Sequence, residues 1–193
     1  MGCDIHIFRE RLVNSRWTAG DAWTEKVSCL DKTYWHCEEV GGARNYQLFG
    51  VLARVRCDEP LPLSFAPRGL PLQVSEEVAR EAALWEGDAH NHSHLFLHEL
   101  KELHCMMSAA TIPVTGVKDG AGLAALRASI ASSSPNWDLL YPYAKWTGNS
   151  IGWEPFSVDV PALFRVDPQL SEIIAGLESI GGEMQRVVFW FDN

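Results

Sequence analysis

Two stretches decide the fold: Gln185-Arg-Val-Val-Phe-Trp-Phe191 near the end of the chain and Cys3-Asp-Ile-His-Ile-Phe8 at its start. The first is a β-branched and aromatic run, and its continuous apolarity predicts a strand covered on both faces. The second alternates. Cys3, Ile5 and Ile7 fall on one side and Asp4, His6 and Phe8 on the other, as the two-residue period of a strand requires. Working outward, Leu48, Val51, Leu52 and Val55 form a helical stripe within Arg44–Arg56, with Asn45 as its N-cap. A second helix covers about Leu95–Met106, with Leu97, Leu100 and Leu103 inward. In a third, Asp167 is the N-cap and Pro168 the first helical residue. Leu170, Ile173, Ile174, Leu177 and Ile180 then follow, and Gly181-Gly182 closes it. The expectation is an α+β domain over 1–193, with a mostly antiparallel sheet. Its N- and C-terminal strands are central, and helices 45–56, 95–106 and 168–180 cover it. Residues 105–165 are expected to be an insertion or lid.

The remaining segments read less regularly. Residues 17–28 suggest a hairpin return with its turn near Gly20-Asp21. Pro60, Pro62, Pro67 and Pro71 exclude a helix or inner strand from 57–74, and a long structureless segment in a compact domain is more often functional than filler. Ser75 caps a short helix with Glu76 and Glu77 in its first turn and Val78, Ala82 and Trp85 inward. Gly87–His94 reads as an extended or looping link, and Gly120–Ser134 as an Ala-rich helix. The aromatic, turn-rich stretch 136–165 gives no clear pattern.

Composition narrows the function classes. The chain has 193 residues, 47% apolar and 21% charged, which is ordinary for a globular protein. A chain of this length buries roughly 70% of its unfolded surface and needs no staple. The net charge of −9 opposes binding to a nucleic-acid polymer, whose affinity comes from clustered Lys and Arg. It leaves room for a small anionic ligand held by one or two arginines. No apolar run is long enough for a membrane span, and the start lacks the pattern of a signal peptide. The five cysteines (3, 29, 37, 57 and 105) are odd in number and contain no CxxC pair, so reduced thiols in a cytoplasm are the expectation.

Several segments together resemble a family of uncharacterised bacteriophage and bacterial proteins. They are Met1-Gly-Cys-Asp-Ile-His6, the run Arg44–Arg56, Pro67-Arg-Gly-Leu-Pro71, Asp88 through Leu100, and Val188-Phe-Trp-Phe-Asp-Asn193. The resemblance spans both ends of the chain and is weakest over 105–165. It implies a phage or prophage context in a bacterial cytoplasm and no particular reaction. Asn45 stands where the family tends to have Asp, and His90-Asn-His-Ser-His94 where it tends to read His-Ser-x-Ser-Trp. Within that stretch, Asp88, His90 and Ser93 carry the match.

Five groups of residues can carry chemistry. Asp4 and His6, about 7 Å apart along a strand, share a face. Together they can chelate a divalent ion or orient each other for acid–base work, or Asp4 can simply fix His6 in a polar network. If the end strands pair, Asp192-Asn193 brings a further carboxylate beside them. Asp88, His90, His92 and His94 share a face in an extended chain, whereas His94 and His98 align at i, i+4 if a helix begins near Ser93. Either geometry suits zinc, nickel or manganese, and the plainer alternative is a solvated loop with Ser93 as helix cap. Arg68, between Pro67 and Gly69, is pre-positioned to fork onto a phosphate or to staple its loop to an acidic group. Arg44 and Tyr46 open a helix, where they attract an anion or serve as surface and staple. A second metal site from Cys29, His36, Cys37 and Cys57 fits no known spacing. Cys3 reads as a buried small residue.

The leading expectation is a phage-type accessory protein acting on a small anionic, nucleotide-like ligand. Asp4, His6, Asp88, His90 and Arg68 would be catalytic, and Arg44, Tyr46, Arg68 and Ser93 would bind the ligand. Asp4, His6, Asp88, His90 and His92 would hold a divalent ion, zinc or manganese, for phosphoester hydrolysis. The alternatives are sequestration of a nucleotide signal of bacterial defence without turnover, or inhibition of a host protein through the aromatic 136–156 surface, including Trp137, Trp146 and Trp153. A homo-oligomer is a further possible assembly.

Overall fold

The structure, a computed structural model, describes residues 2–27, 33–37, 44–56, 63–140 and 152–192. The terminal strands pair as their patterns predict. β1 (Asp4–Val13) runs antiparallel to β8 (Met184–Asp192), in register from Asp4 opposite Asp192 to Leu12 opposite Met184. With β2 (Arg16–Ala19) and β5 (His90–Phe96) they form a sheet of order β2-β1-β8-β5, so the two terminal strands are central. β8 is buried on both sides: Val187 through Phe191 are at most 1% exposed. The class is α+β and the strand pairings are antiparallel, as expected.

The first turn is a correction. β1 reverses at Asn14-Ser15, whose φ angles of 49° and 62° are left-handed, and β2 pairs straight back onto β1. Positive φ at both central residues is what a two-residue hairpin of matching twist needs. Asn tolerates that region, but Asn-Ser is a weaker signal than Asn-Gly. Gly20-Asp21 is therefore no hairpin turn. Asp21 is buried and accepts hydrogen bonds from the backbone and side chain of Arg9. β3 (Trp23–Val27) and β4 (Thr33–Cys37) make a separate two-stranded sheet.

Helices close the two faces. α1 (Tyr46–Ala53) has Asn45 as N-cap, its Oδ1 accepting from Gln47 and Leu48 N–H at 3.1 Å, and Phe49 packs edge-on against Phe191 at 5.1 Å. α5 (Gln169–Ser179) starts one residue later than predicted. Asp167 still satisfies a first-turn donor, accepting from the Ser171 N–H at 3.3 Å. α5 also accepts a bond from Arg9 at the Gly176 carbonyl. α2 (Glu76–Leu84), capped by Ser75, lays Val78 and Ala82 against Phe8, Val188 and Trp190 on the opposite face. α3 (Leu97–Ala109) begins after β5, so the expected link 87–94 is largely strand and Ser93 is not a helix cap. Pairing with β8 overrides the polar look of the histidine run.

The chain divides into two compact units, 1–107 with 165–193, and 108–164. In the second unit β6 (Thr111–Asp119) pairs with β7 (Trp153–Pro161) over nine positions. α4 (Gly120–Ile130) packs Leu126 with Val114, Leu140 and Val160. Asp119 caps α4 through the Gly122 N–H at 2.7 Å. The helix stops at Ile130 and does not reach Ser134. Ser129 and Ser132 bond to nearby backbone there, the competition with helical bonds that serine favours. No helix among the described residues is long and apolar enough to cross a membrane.

Candidate functional site

At one end of the sheet the β1–β8 register brings three carboxylate and imidazole groups together. Asp192 Oδ1 accepts from the Asp4 backbone N–H at 3.2 Å, and its Oδ2 lies 3.5 Å from His6 Nε2. His6 is packed against the Trp85 ring at 4.3 Å and the Trp190 ring at 6.0 Å. The Asp4 carboxylate faces Arg44, which donates from Nε at 2.9 Å and from Nη2 at 2.7 Å. Both oxygens of Asp4 are thus engaged by one guanidinium, and each side chain of the pair is about half exposed. Arg44 answers Asp4 rather than an incoming anion. Tyr46 leans edge-on over Phe49 at 5.6 Å, the staple reading. Cys3 is fully buried, and burial pushes its thiol pKa up, partly offset by Arg56, so it stays a thiol.

The histidine strand is where the expected site comes apart. β5 carries a bulge between His90 and Ser93, with Asn91 at φ 53°. A bulge inserts one residue and re-aims the side chains around it. His90 therefore stacks on Phe191 at 6.1 Å, while His92 sits against Trp190 at 5.5 Å. Adjacent strand residues point to opposite faces, so His90 and His92 lie on opposite sides of the sheet. Asp88 is exposed in the turn after α2, its N–H bonded to Trp85 O at 3.0 Å. His94 reaches the Gly69 carbonyl at 3.4 Å, and His98 stacks on Phe96 at 5.7 Å. The shared face expected for Asp88, His90, His92 and His94 does not form, and neither does the His94–His98 helical pair, because α3 begins at Leu97. Among the described residues no three His, Cys, Asp or Glu side chains gather as a metal-binding group. Cys29 and Cys57 lie outside the described residues.

Arg68 takes the stapling role. Its guanidinium forks onto Glu99 at 2.9 and 2.7 Å and its backbone N–H donates to Ser93 Oγ at 3.2 Å. Gly69, at φ 81°, donates to the His92 carbonyl at 2.8 Å. The proline-rich segment thus covers the free edge of β5, where unpaired strand groups would otherwise invite pairing with another chain. Glu99 also accepts the Phe96 N–H at 2.9 Å. Burial works to raise its pKa, but the bonds from Arg68 and Phe96 outweigh that and hold the carboxyl below its ordinary value.

Beside this edge lies a cleft of 660 Å³ between α2 and β5. Ala79, Ala82 and Ala83 of α2 line it, with Gly69 and Leu70 of the proline-rich segment and Asn91 and His92 of β5. Among the described residues Glu86 is the one carboxylate in the lining, and no Lys or Arg takes part. The bulge turns His92 toward it. Burial, together with nearby His90, lowers the His92 pKa, so the imidazole is neutral near pH 7. Trp190, fully buried beside His92, leaves its Nε1–H without an acceptor among the described residues.

No protein-family profile, curated protein or solved structure matches the chain. The functional reading therefore rests on geometry. Two features escaped the sequence. One is the cleft, for which the small residues Ala79, Ala82 and Ala83 on one side of α2 were the available signal. The other is the Glu10–Arg186 ion pair at 2.6 Å, with side chains 0% and 4% exposed. Charged residues inside strands with otherwise apolar faces were its signal. In the second unit Trp137 packs on Phe164 at 6.5 Å and Trp153 is 38% exposed, whereas Trp146 lies outside the described residues.

Proposed function

We propose that this protein holds an uncharged, partly apolar molecule of nucleoside size in the cleft between α2 and β5, without turnover. The observation that carries this reading is His92, turned to the cleft by the Asn91 bulge and kept neutral by burial. A neutral imidazole donates at one nitrogen and accepts at the other. The cleft's volume falls within the roughly 300–1,000 Å³ usual for small-molecule sites. Its alanine and glycine residues offer an apolar surface for a ring, and Asn91 and Glu86 add polar groups to orient it. The reading departs from the phosphorylated ligand expected above in one respect, charge. Arg44 and Arg68 are engaged by Asp4 and Glu99, and Glu86 opposes a phosphate.

Calorimetric titration with adenosine, guanosine, cytidine and uridine, each beside its 5′-monophosphate, tests this. One nucleoside is expected to bind saturably and its monophosphate more weakly. Ala83→Trp, at an exposed position, fills the cleft and removes binding while the fold persists. A monophosphate that binds more tightly than its nucleoside overturns the proposal in favour of an anionic ligand. Absence of binding by every probe, with the fold intact, ends it.

A second reading draws on the His6–Asp192 pair. A carboxylate beside an imidazole suits acid–base catalysis, and with added zinc or manganese the expected chemistry is phosphoester hydrolysis. Product released from a nucleotide in the presence of either metal, and lost in His6→Gln, would establish it.

A further inference from the structure

A second concavity, of 470 Å³, lies away from the α2–β5 cleft, where β2, the β3–β4 sheet and the start of α2 meet. Three indoles line it: Trp17 from β2, Trp23 from β3 and Trp35 from β4. Glu76 and Glu77, from the first turn of α2, line it too. We propose that this groove is a binding site for a small organic cation with a quaternary ammonium head.

The chemistry of the lining points one way. Indole faces are negative and attract cations, and an alkylated ammonium needs no hydrogen bonds to satisfy it there. Two of these rings already hold a cation from the chain itself: the Arg186 guanidinium lies 3.7 Å from the Trp17 ring centre and that of Arg80 lies 4.7 Å from that of Trp35. The carboxylates add the matching charge. Glu76 and Glu77 make no ion pair among the described residues. They are not needed to satisfy the start of α2 either, because Ser75 Oγ accepts the Val78 N–H and Glu10 accepts the Ser75 N–H. Asp21 is turned to Arg9 and Glu10 to Arg186, and among the described residues Arg16 is the one basic residue in the lining, with Arg80 standing over Trp35. Trp23 Nε1–H is buried without an acceptor among the described residues.

The test is titration of the full chain with choline and with 3,3-dimethyl-1-butanol, its uncharged isostere, followed by calorimetry and ligand-observed NMR. Choline is expected to bind saturably, about tenfold or more tighter than the isostere, and to weaken as salt is raised. Trp35→Ala, at a partly exposed position, and Glu76→Gln with Glu77→Gln are each expected to weaken choline about tenfold, with Trp35→Phe largely restoring it. Circular dichroism and the melting temperature confirm that each variant is folded. Equal binding of choline and the isostere overturns the proposal. So does absence of choline binding, or undiminished binding in folded Trp35→Ala and double-glutamine variants. Nucleoside binding in the α2–β5 cleft is unaffected by any of these outcomes.

Discussion

The two faces of the four-stranded sheet are built from the same strands and filled by different rules. On one face Ile5, Ile7, Phe189 and Phe191 are almost completely buried, and Phe49 packs on Phe191. On the other, Phe8, Val188 and Trp190 share the space with His6, His92 and the Glu10–Arg186 pair. The first face is mainly hydrocarbon, with His90 stacked on Phe191 and the Arg9–Asp21 pair toward its edge. The second buries charge and dipoles, which costs free energy unless every partner is present. Polar side chains on that face are therefore arranged by specific partners, and both candidate clefts border it. The contrast teaches that this sheet concentrates hydrocarbon on one side and the Glu10–Arg186 pair and both clefts on the other.

The sharpest way to break that contrast is Glu10→Ala. It strands Arg186, whose pKa burial already lowers against the support of Glu10, and is expected to cost about 3–5 kcal/mol in urea unfolding. Replacing both partners with methionine is expected to recover most of that loss. On the hydrocarbon face Ile7→Val removes one methyl group and is expected to cost about 0.5–1.5 kcal/mol. If the order of the two costs reverses, the division between faces fails.

Acid sharpens the comparison further. Burial lowers the pKa of His92, with His90 adding to it, and also that of His94, both from an ordinary value of 6.5. The unfolded chain then takes up protons before the folded one as pH falls. Stability is full above about pH 6.5 and declines from there toward the lowered folded-state values. Melting temperatures between pH 8 and 5 are expected to show this slope, and His92→Gln to flatten part of it. From the ordinary carboxyl value downward Glu99 adds its own loss, because its folded pKa is depressed. The smallest effect is expected from Asp4→Asn. It removes a half-exposed ion pair with Arg44, and its unfolding curve should overlay that of the parent chain.

How much of this was legible varies with the range of the interaction. The alternation Cys3–Phe8 and the run 185–191 were enough to predict two paired central strands, because side-chain periodicity and a fully apolar strand are local signatures. Asn45 as a cap was legible for the same reason. Asp192 was placed beside His6 by topology alone, and the register bears that out. The Asn14-Ser15 turn was missed because the side chains hardly advertise the left-handed backbone they adopt. The histidine run was misjudged because one bulged residue, Asn91, sends His90 and His92 to opposite faces, and no spacing rule reveals a bulge. Arg44 and Arg68 were readable as cations, but their partners Asp4 and Glu99 lie far away in sequence.

Local pattern, then, determined the fold class, the central place of the terminal strands and the helix stripes, since each follows from backbone geometry and the burial of apolar side chains. Only the tertiary structure decided which charges meet, which face each histidine joins and where the clefts open. Those depend on register, on one bulge and on contacts between distant segments, and a linear sequence does not display the distances that govern them.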